Sequence, residues 1–169
     1  SMFGAFGGSS LDWEYRQHYN LGESRFRPEF GLRYGTQGKT FYDMRLYNIR
    51  EETALPDERV GTNRVTAQIG KGFGPVDVRG GMYRSKGGVG LDVRPIKPLM
   101  LSADTFWFTR ASPGRPWVNL GGAVNVTRWL RVGAGVEAVA VPERSLQAFG
   151  SIVLTDQDVA HLMSVIGVR

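Results

Sequence analysis

The chain contains no cysteine. That excludes a disulfide scaffold, a thiol nucleophile and a cysteine-ligated metal site. Histidine is scarce: only His18 and His161 occur, far apart, in unlike contexts and without metal-ligand spacing. No run of about 18–20 apolar residues exists, so no membrane-crossing helix can be written. Gly-x-Ser-x-Gly elbows and phosphate-binding glycine loops are also missing. The Gly-rich stretches at residues 70–74 and 87–90 lack a strand–loop–helix setting and read as turns and curvature. Ser102, Asp104 and His18 share a polar face, the one constellation on which a barrel-embedded hydrolase could be written. Most carboxylates instead stand two residues from an arginine, as ion pairs do. The sequence therefore predicts no enzyme, no cofactor and no metal. Net charge is +5 and the pI about 9.8. Acids and bases are interleaved and form no basic stripe, so no nucleic-acid partner is expected.

What the chain does have is alternation. Leu11-Asp12-Trp13-Glu14-Tyr15-Arg16, Val76-Asp77-Val78-Arg79, Val89-Gly90-Leu91-Asp92-Val93-Arg94 and Val132-Gly133-Ala134-Gly135-Val136-Glu137 all repeat with period two. Successive strand side chains point to opposite faces, so each segment has one apolar and one charged face. There are 23 glycines, many inside these runs: Gly80, Gly81, Gly88, Gly90, Gly121, Gly122, Gly133 and Gly135. Glycine weakens a strand unless the sheet must curve or a backbone or bulky neighbour comes close.

Ten strands can be written, at residues 11–21, 26–34, 40–49, 64–69, 76–83, 88–94, 99–109, 117–127, 130–140 and 146–154. The connections after even-numbered strands are mostly tight, those after odd-numbered strands longer or more polar. Outer-membrane barrels show this asymmetry. After Leu154 the period changes: Val159, Leu162, Met163 and Ile166 fall at helical spacing, with Asp156 or Asp158 as N-cap and Gly167 as stop. Opposite that stripe lie Gln157, His161 and Ser164. Residues 1–10 read as an expression scar followed by a Gly/Ser linker, 11–155 as the barrel and 156–169 as an amphipathic helix.

The apolar face carries Leu91, Val93, Val124 and Val136, which are expected to face lipid. The polar face carries Asp43, Arg45, Asp77, Arg79, Asp92 and Arg94, which are expected to form an ion-pair network in the lumen. Periodicity alone leaves the inverse open: a soluble barrel or sandwich with the apolar set as its core. Aromatics near strand ends (Trp13, Tyr34, Trp107, Trp117, Trp129) favour the membrane form, as an interfacial girdle would. The fold expected is all-β: an up-and-down antiparallel transmembrane β-barrel of about ten strands, uncertain by about two, with a short C-terminal helix.

The string Val78-Arg79-Gly80-Gly81-Met82-Tyr83-Arg84-Ser85-Lys86-Gly87-Gly88-Val89-Gly90-Leu91-Asp92 resembles a signature of the C-terminal barrel fused to some bacterial mammalian-cell-entry (MCE, MlaD-like) proteins. Residues 101–106, 130–137 and 149–159 resemble later strands and the helix start of the same barrel. The resemblance implies a module at the outer-membrane end of a lipid-transport system of a Gram-negative envelope. It also implies partners: membrane lipids, upstream MCE domains and their oligomer, and an ABC transporter. Both termini would be periplasmic. Two other functions remain open: a structural or adhesive outer-membrane barrel with no transport role, and a soluble lipocalin-like binder of a hydrophobic ligand.

Overall fold

The computed structural model describes residues 10–22, 24–35, 39–47, 64–106, 116–139 and 144–167. The expected strand ends at Ile49, Thr109 and Ala140, and the Trp107 side chain, lie outside these residues. Ten strands and one helix follow in chain order: β1 (Ser10–Asn20), β2 (Arg25–Gly35), β3 (Thr40–Tyr47), β4 (Arg64–Phe73), β5 (Val76–Tyr83), β6 (Lys86–Ile96), β7 (Leu99–Phe106), β8 (Trp117–Asn125), β9 (Leu130–Glu137), β10 (Ser145–Thr155) and α1 (Asp156–Ile166). Each strand pairs antiparallel with its chain neighbour, and β1 pairs with β10, from Asp12 opposite Thr155 to Asn20 opposite Gln147. The sheet is thus a closed up-and-down barrel with no free edge. The closing pair places Ser10 and α1 at the same end of the barrel, called here the helix end.

Two connections show how local chemistry sets the chain's path. Between β5 and β6 the turn is Arg84-Ser85, both at positive φ (45° and 64°). Two consecutive residues at positive φ match the right-handed twist of a two-residue hairpin. Non-glycine residues adopt them at a cost, which is offset here because the turn drives the Arg84 side chain into the barrel. In β6 the pairing with β7 shifts between Val93 and Ile96. Such a bulge bends the strand and re-aims its side chains, and it brings Arg94 to the helix-end mouth.

Helix α1 begins at Asp156, but its cap lies one residue before the aspartates that the sequence points to. Thr155 is the N-cap: its hydroxyl accepts from Asp158 N, and the Asp158 carboxylate accepts from Thr155 N. This reciprocal capping box satisfies two helix-end donors. Gly167 ends the helix in the left-handed conformation, φ 78°.

The barrel is inverted relative to a soluble one. Its buried residues are mostly polar: Glu14, Glu29, Asp43, Asp77, Arg79, Asp92 and Glu137 are among them. The buried apolar residues among those described are few, namely Phe41, Tyr47, Phe106, Ala123 and Ala138. Large apolar side chains line the outside, including Phe30, Tyr42, Met44, Leu46, Ile69, Leu101, Leu120 and Ile152.

Glycine makes the crowded interior possible. A Cβ on Gly70 would lie 2.2 Å from the Phe41 ring, one on Gly133 2.4 Å from Phe149, and one on Gly90 2.5 Å from the Asp104 carboxylate. At Gly81 the backbone itself demands glycine, with φ 140° and a Cβ position 2.5 Å from Ala67 O.

Candidate functional site

The lumen is the most structured chemistry in the molecule. Its ion pairs lie in three clusters. Arg45, from β3, donates through Nε to Asp43 at 2.9 Å and through Nη1 to Glu29 at 2.8 Å, and it reaches Glu14 of β1 at 3.1 Å. Arg16 donates to Glu14 at 2.8 Å and lies 4.5 Å from the Phe149 ring. Arg79, from β5, forks onto Asp92 of β6 (3.1 and 3.0 Å) and lies 2.7 Å from Asp104 of β7, while its Nη1 donates to Gln68 at 2.9 Å. At the helix end, Arg33 and Arg94 both donate to the same oxygen of Asp77.

The opposite end is closed by a further set. The buried Arg84 guanidinium stacks 4.3 Å from the Tyr47 ring and pairs with Glu137, which Arg27 also approaches at 3.8 Å. His18 bridges Gln147 (3.1 Å) and Glu29 (3.3 Å) below it. A buried charge left alone costs several kcal/mol. The interior meets much of that cost by giving its central charges, Arg45, Arg79 and Glu14, several partners each.

All six expected lumen residues enter ion pairs, one pair along a single strand and the others across strands. Of those six, only Asp43 and Arg45 pair as neighbours two residues apart, as Glu14 and Arg16 do in β1. Across β5 and β6 the partners cross over, Arg79 to Asp92 and Arg94 to Asp77. The β5–β6 register explains the first of these: Asp77 stands opposite Asp92 and Arg79 opposite Gly90, so the Arg79 guanidinium leans into the space beside that glycine. Arg84, Glu14, Glu29, Glu137 and Asp104 complete the clusters. Period two points to the inward glutamates and to Asp104. Nothing local points to Arg84, which lies in a turn.

Leu91, Val93, Val124 and Val136 all lie on the outer wall, Leu91 and Val124 about two-fifths exposed (41% and 42%), the two others half-buried. Trp13 and Trp129 are on the outside as expected of a girdle, with Tyr34 stacked on Tyr42 at 6.4 Å. Trp117 is not. It shares the face of buried Asn119 and packs inside against Phe106 at 6.2 Å. Of the helix stripe, Val159 is half-buried and Leu162, Met163 and Ile166 are exposed; α1 buries no residue.

Two spaces are lined by these side chains. One of about 100 Å³ runs among Arg45, Arg79, Arg16 and Asp104, room for roughly three waters. His18 and Ser102 reach it as well, but His18 is bonded to Gln147 and Glu29, and Asp104 to Arg79. The other, about 480 Å³, opens at the helix end. Among the described residues no helix is long and apolar enough to cross a membrane, and no cluster of three His, Asp or Glu side chains is placed to hold a metal ion.

The architecture defines a class: a closed, up-and-down, ten-stranded barrel with a charged, largely filled lumen and an apolar outer wall. A family model described as a lipocalin-like domain matches residues 11–161, and the chain belongs to that family. Two solved structures are similar in outline. A designed protein from "De novo design of transmembrane beta-barrels" shares 11% identity at a TM-score of 0.40, over 86% of this chain and 95% of that one. Pseudomonas aeruginosa OccK8 (OprE) shares 14% identity at 0.30, over 76% of this chain and 45% of that one. Both scores are too low for an argument to rest on them. No curated protein matches the chain.

The family overturns the expected MCE relation. Nothing ties the chain to MCE or MlaD-like proteins, and the family match points to another kind of domain. The structure shows why the string over residues 78–92 misleads. Its glycines answer to local barrel geometry: Gly81 to a positive φ, Gly88 to the Phe106 side chain and Gly90 to Arg79 and Asp104. Its Arg79 and Asp92 form a lumen ion pair. Any small barrel with a crowded charged interior needs such residues.

Proposed function

We propose that this lipocalin-like domain is a membrane-embedded barrel of a bacterial outer membrane, with its apolar wall on lipid and its lumen sealed by ion pairs. Its role in this reading is structural or adhesive: a stable, non-catalytic, closed platform that presents its ends to either side of the bilayer. One observation carries the reading. The polar and apolar faces are inverted, with paired charges inside and Phe30, Met44, Leu46, Ile69, Leu101 and Leu120 outside. In water each such exposed side chain forgoes about 1.5–3 kcal/mol of burial. In lipid the same wall is the favourable one, and the closed sheet leaves no strand with an unpaired edge among the described residues.

The family match gives a second reading its support: a soluble barrel that holds a small hydrophobic ligand in its mouth, as lipocalins do. The charges lining both internal spaces oppose it, since an apolar ligand there would desolvate them. Folding in detergent or liposomes discriminates. Arginine at Leu91, in the middle of β6, should cost about 2–4 kcal/mol at mid-bilayer and block assembly, and at Val93, Val124 or Val136, nearer the strand ends, it should cost less but still more than at a lumen-facing site. Asn125→Arg, at the helix-end rim, should be tolerated. A protein that folds as a monomer without detergent, or two sets of variants that behave alike, sinks the bilayer reading.

A further inference from the structure

The cavity at the helix-end mouth is lined by five cationic side chains, Arg33, Lys39, Arg45, Arg94 and Arg131, and by four carboxylates, with Asp12 standing across from Arg33. Arg33 and Arg94, on β2 and β6, converge on one oxygen of Asp77. Arg33 is fixed by its second contact, with its Cζ 3.7 Å from the centre of the Phe41 ring. Phe41 is fixed in turn by the space at Gly70. Each guanidinium has five N–H donors, and among the described contacts Asp77 takes one from each. Both open onto the 480 Å³ cavity, where Arg131 and Lys39 also face.

The carboxylates lining the same cavity are Asp12, Glu14, Asp43 and Asp77. Glu14 and Asp43 are engaged by Arg45, and Glu14 also by Arg16 and Arg131. Around the mouth Lys71, Lys97 and Arg128 are exposed. Of the two aspartates that open α1, Asp158 is held by Thr155 and by Arg128 at 3.2 Å. The pair Arg33–Arg94 thus stands preorganised, with spare donors aimed into an open cavity of ligand size.

We propose that this mouth binds a phosphate group, gripped by the Arg33 and Arg94 guanidiniums with Arg131 and Lys39 beside them. Planar guanidiniums in pairs match the geometry of phosphate oxygens. The cavity is larger than phosphate alone and admits the group it is esterified to. That group is either a small soluble ester or the headgroup of a lipid. The site depends on the barrel's end and not on the bilayer reading, so either can fail alone.

The test uses the full chain. In detergent micelles, titration with inorganic phosphate and with glycerol 3-phosphate reads the soluble source. In nanodiscs, native mass spectrometry with phosphatidic acid against phosphatidylcholine reads the lipid source. The R33Q/R94Q double variant should weaken binding at least tenfold, while Lys86→Gln at the opposite end should leave it unchanged. Binding of the soluble phosphates with that dependence supports a free-ester site. Binding of phosphatidic acid alone, with the same dependence, supports a headgroup site. No phosphate binding in either setting, or binding that survives R33Q/R94Q, overturns the proposal. If the double variant fails to fold, Arg94→Gln replaces it, because the Arg94 side chain is 38% exposed at the mouth. The same tenfold criterion applies to it.

Discussion

Arg79 shows what one interior side chain must satisfy. It is buried, and three side chains from three other strands, Gln68, Asp92 and Asp104, converge on it. Replacing it with methionine keeps the bulk and strands two buried carboxylates. The expected loss is about 3–5 kcal/mol, read as a lower denaturant midpoint for unfolding from detergent. A loss under about 1 kcal/mol would mean that water, not protein, solvates those carboxylates. Gly70 makes a second case. Gly70→Ala drives a methyl group into the Phe41 ring and should destabilise by about 1–3 kcal/mol. Phe41→Leu in the same chain should recover part of that, and additive losses would break the argument. At this scale the sequence shows that Arg79 points inward, because it sits at the right parity. It does not show the partners. Those depend on the register between strands and on which neighbours are glycine, and both are long-range facts.

Among the elements, the strands are nearly all legible in the sequence, and so is where most turns fall, though not the geometry of every turn. Alternation marks the inner and outer face of every strand because the lumen is charged and the wall apolar. The tight turns after even-numbered strands follow from Gly74-Pro75 and Lys97-Pro98. A connection over residues 84–87 is legible, but not that the turn is only Arg84-Ser85, since its two positive φ angles are carried by residues with no preference for them while Arg84 is buried. Helix α1 is legible in its stripe and its Gly167 stop, and its cap is displaced by one residue. Thr155 serves at once as the last residue of β10 and as the N-cap. That dual role predicts a separable element. Deleting residues 156–169 should leave the barrel folded, seen as retained heat-modifiable gel migration, because α1 buries no residue. A truncated chain that cannot fold would assign the helix to closure of β10. The capping box also predicts a pH response. The Thr155 N–H and hydroxyl hold the Asp158 carboxyl below the usual carboxylate range, and Arg128 adds to this. The charged form is therefore favoured in the folded helix. Its contribution is complete above the unfolded value, about 4, and fades as pH falls through the lower folded value. Amide exchange at Asp158 and Leu162 should accelerate below about pH 4 relative to the base of β10. Thr155→Ala should produce the same fraying at neutral pH.

For the whole molecule, closure decides the meaning of the pattern. Two faces of opposite character describe equally a sandwich with an apolar core and a barrel with a polar lumen. A single sequence cannot choose, because the choice is made by which face is enclosed when β1 meets β10, and here it is the charged one. Once the barrel is closed with its charged face inward, the lumen's transport properties follow from how full it is. A barrel of this size has an interior that side chains can fill. Here the fill is graded: a 480 Å³ mouth at the helix end, a 100 Å³ space at mid-height, and the Arg84, Glu137, Tyr47 and His18 plug at the far end. A hydrated ion entering the mouth would have to part Arg45 from three carboxylates and then displace the plug. Each separation leaves buried charge unpaired at several kcal/mol, far above thermal energy. Planar-bilayer recordings of the inserted protein should therefore show no steady porin-like current, with at most brief openings. Arg84→Ala, which removes the plug's central cation, should raise the frequency of such openings if the plug is the barrier, and leave it unchanged if the Arg45 cluster is. Large stable currents from the unmodified chain would show that the ion pairs open in the membrane, and the sealed-lumen reading would fall.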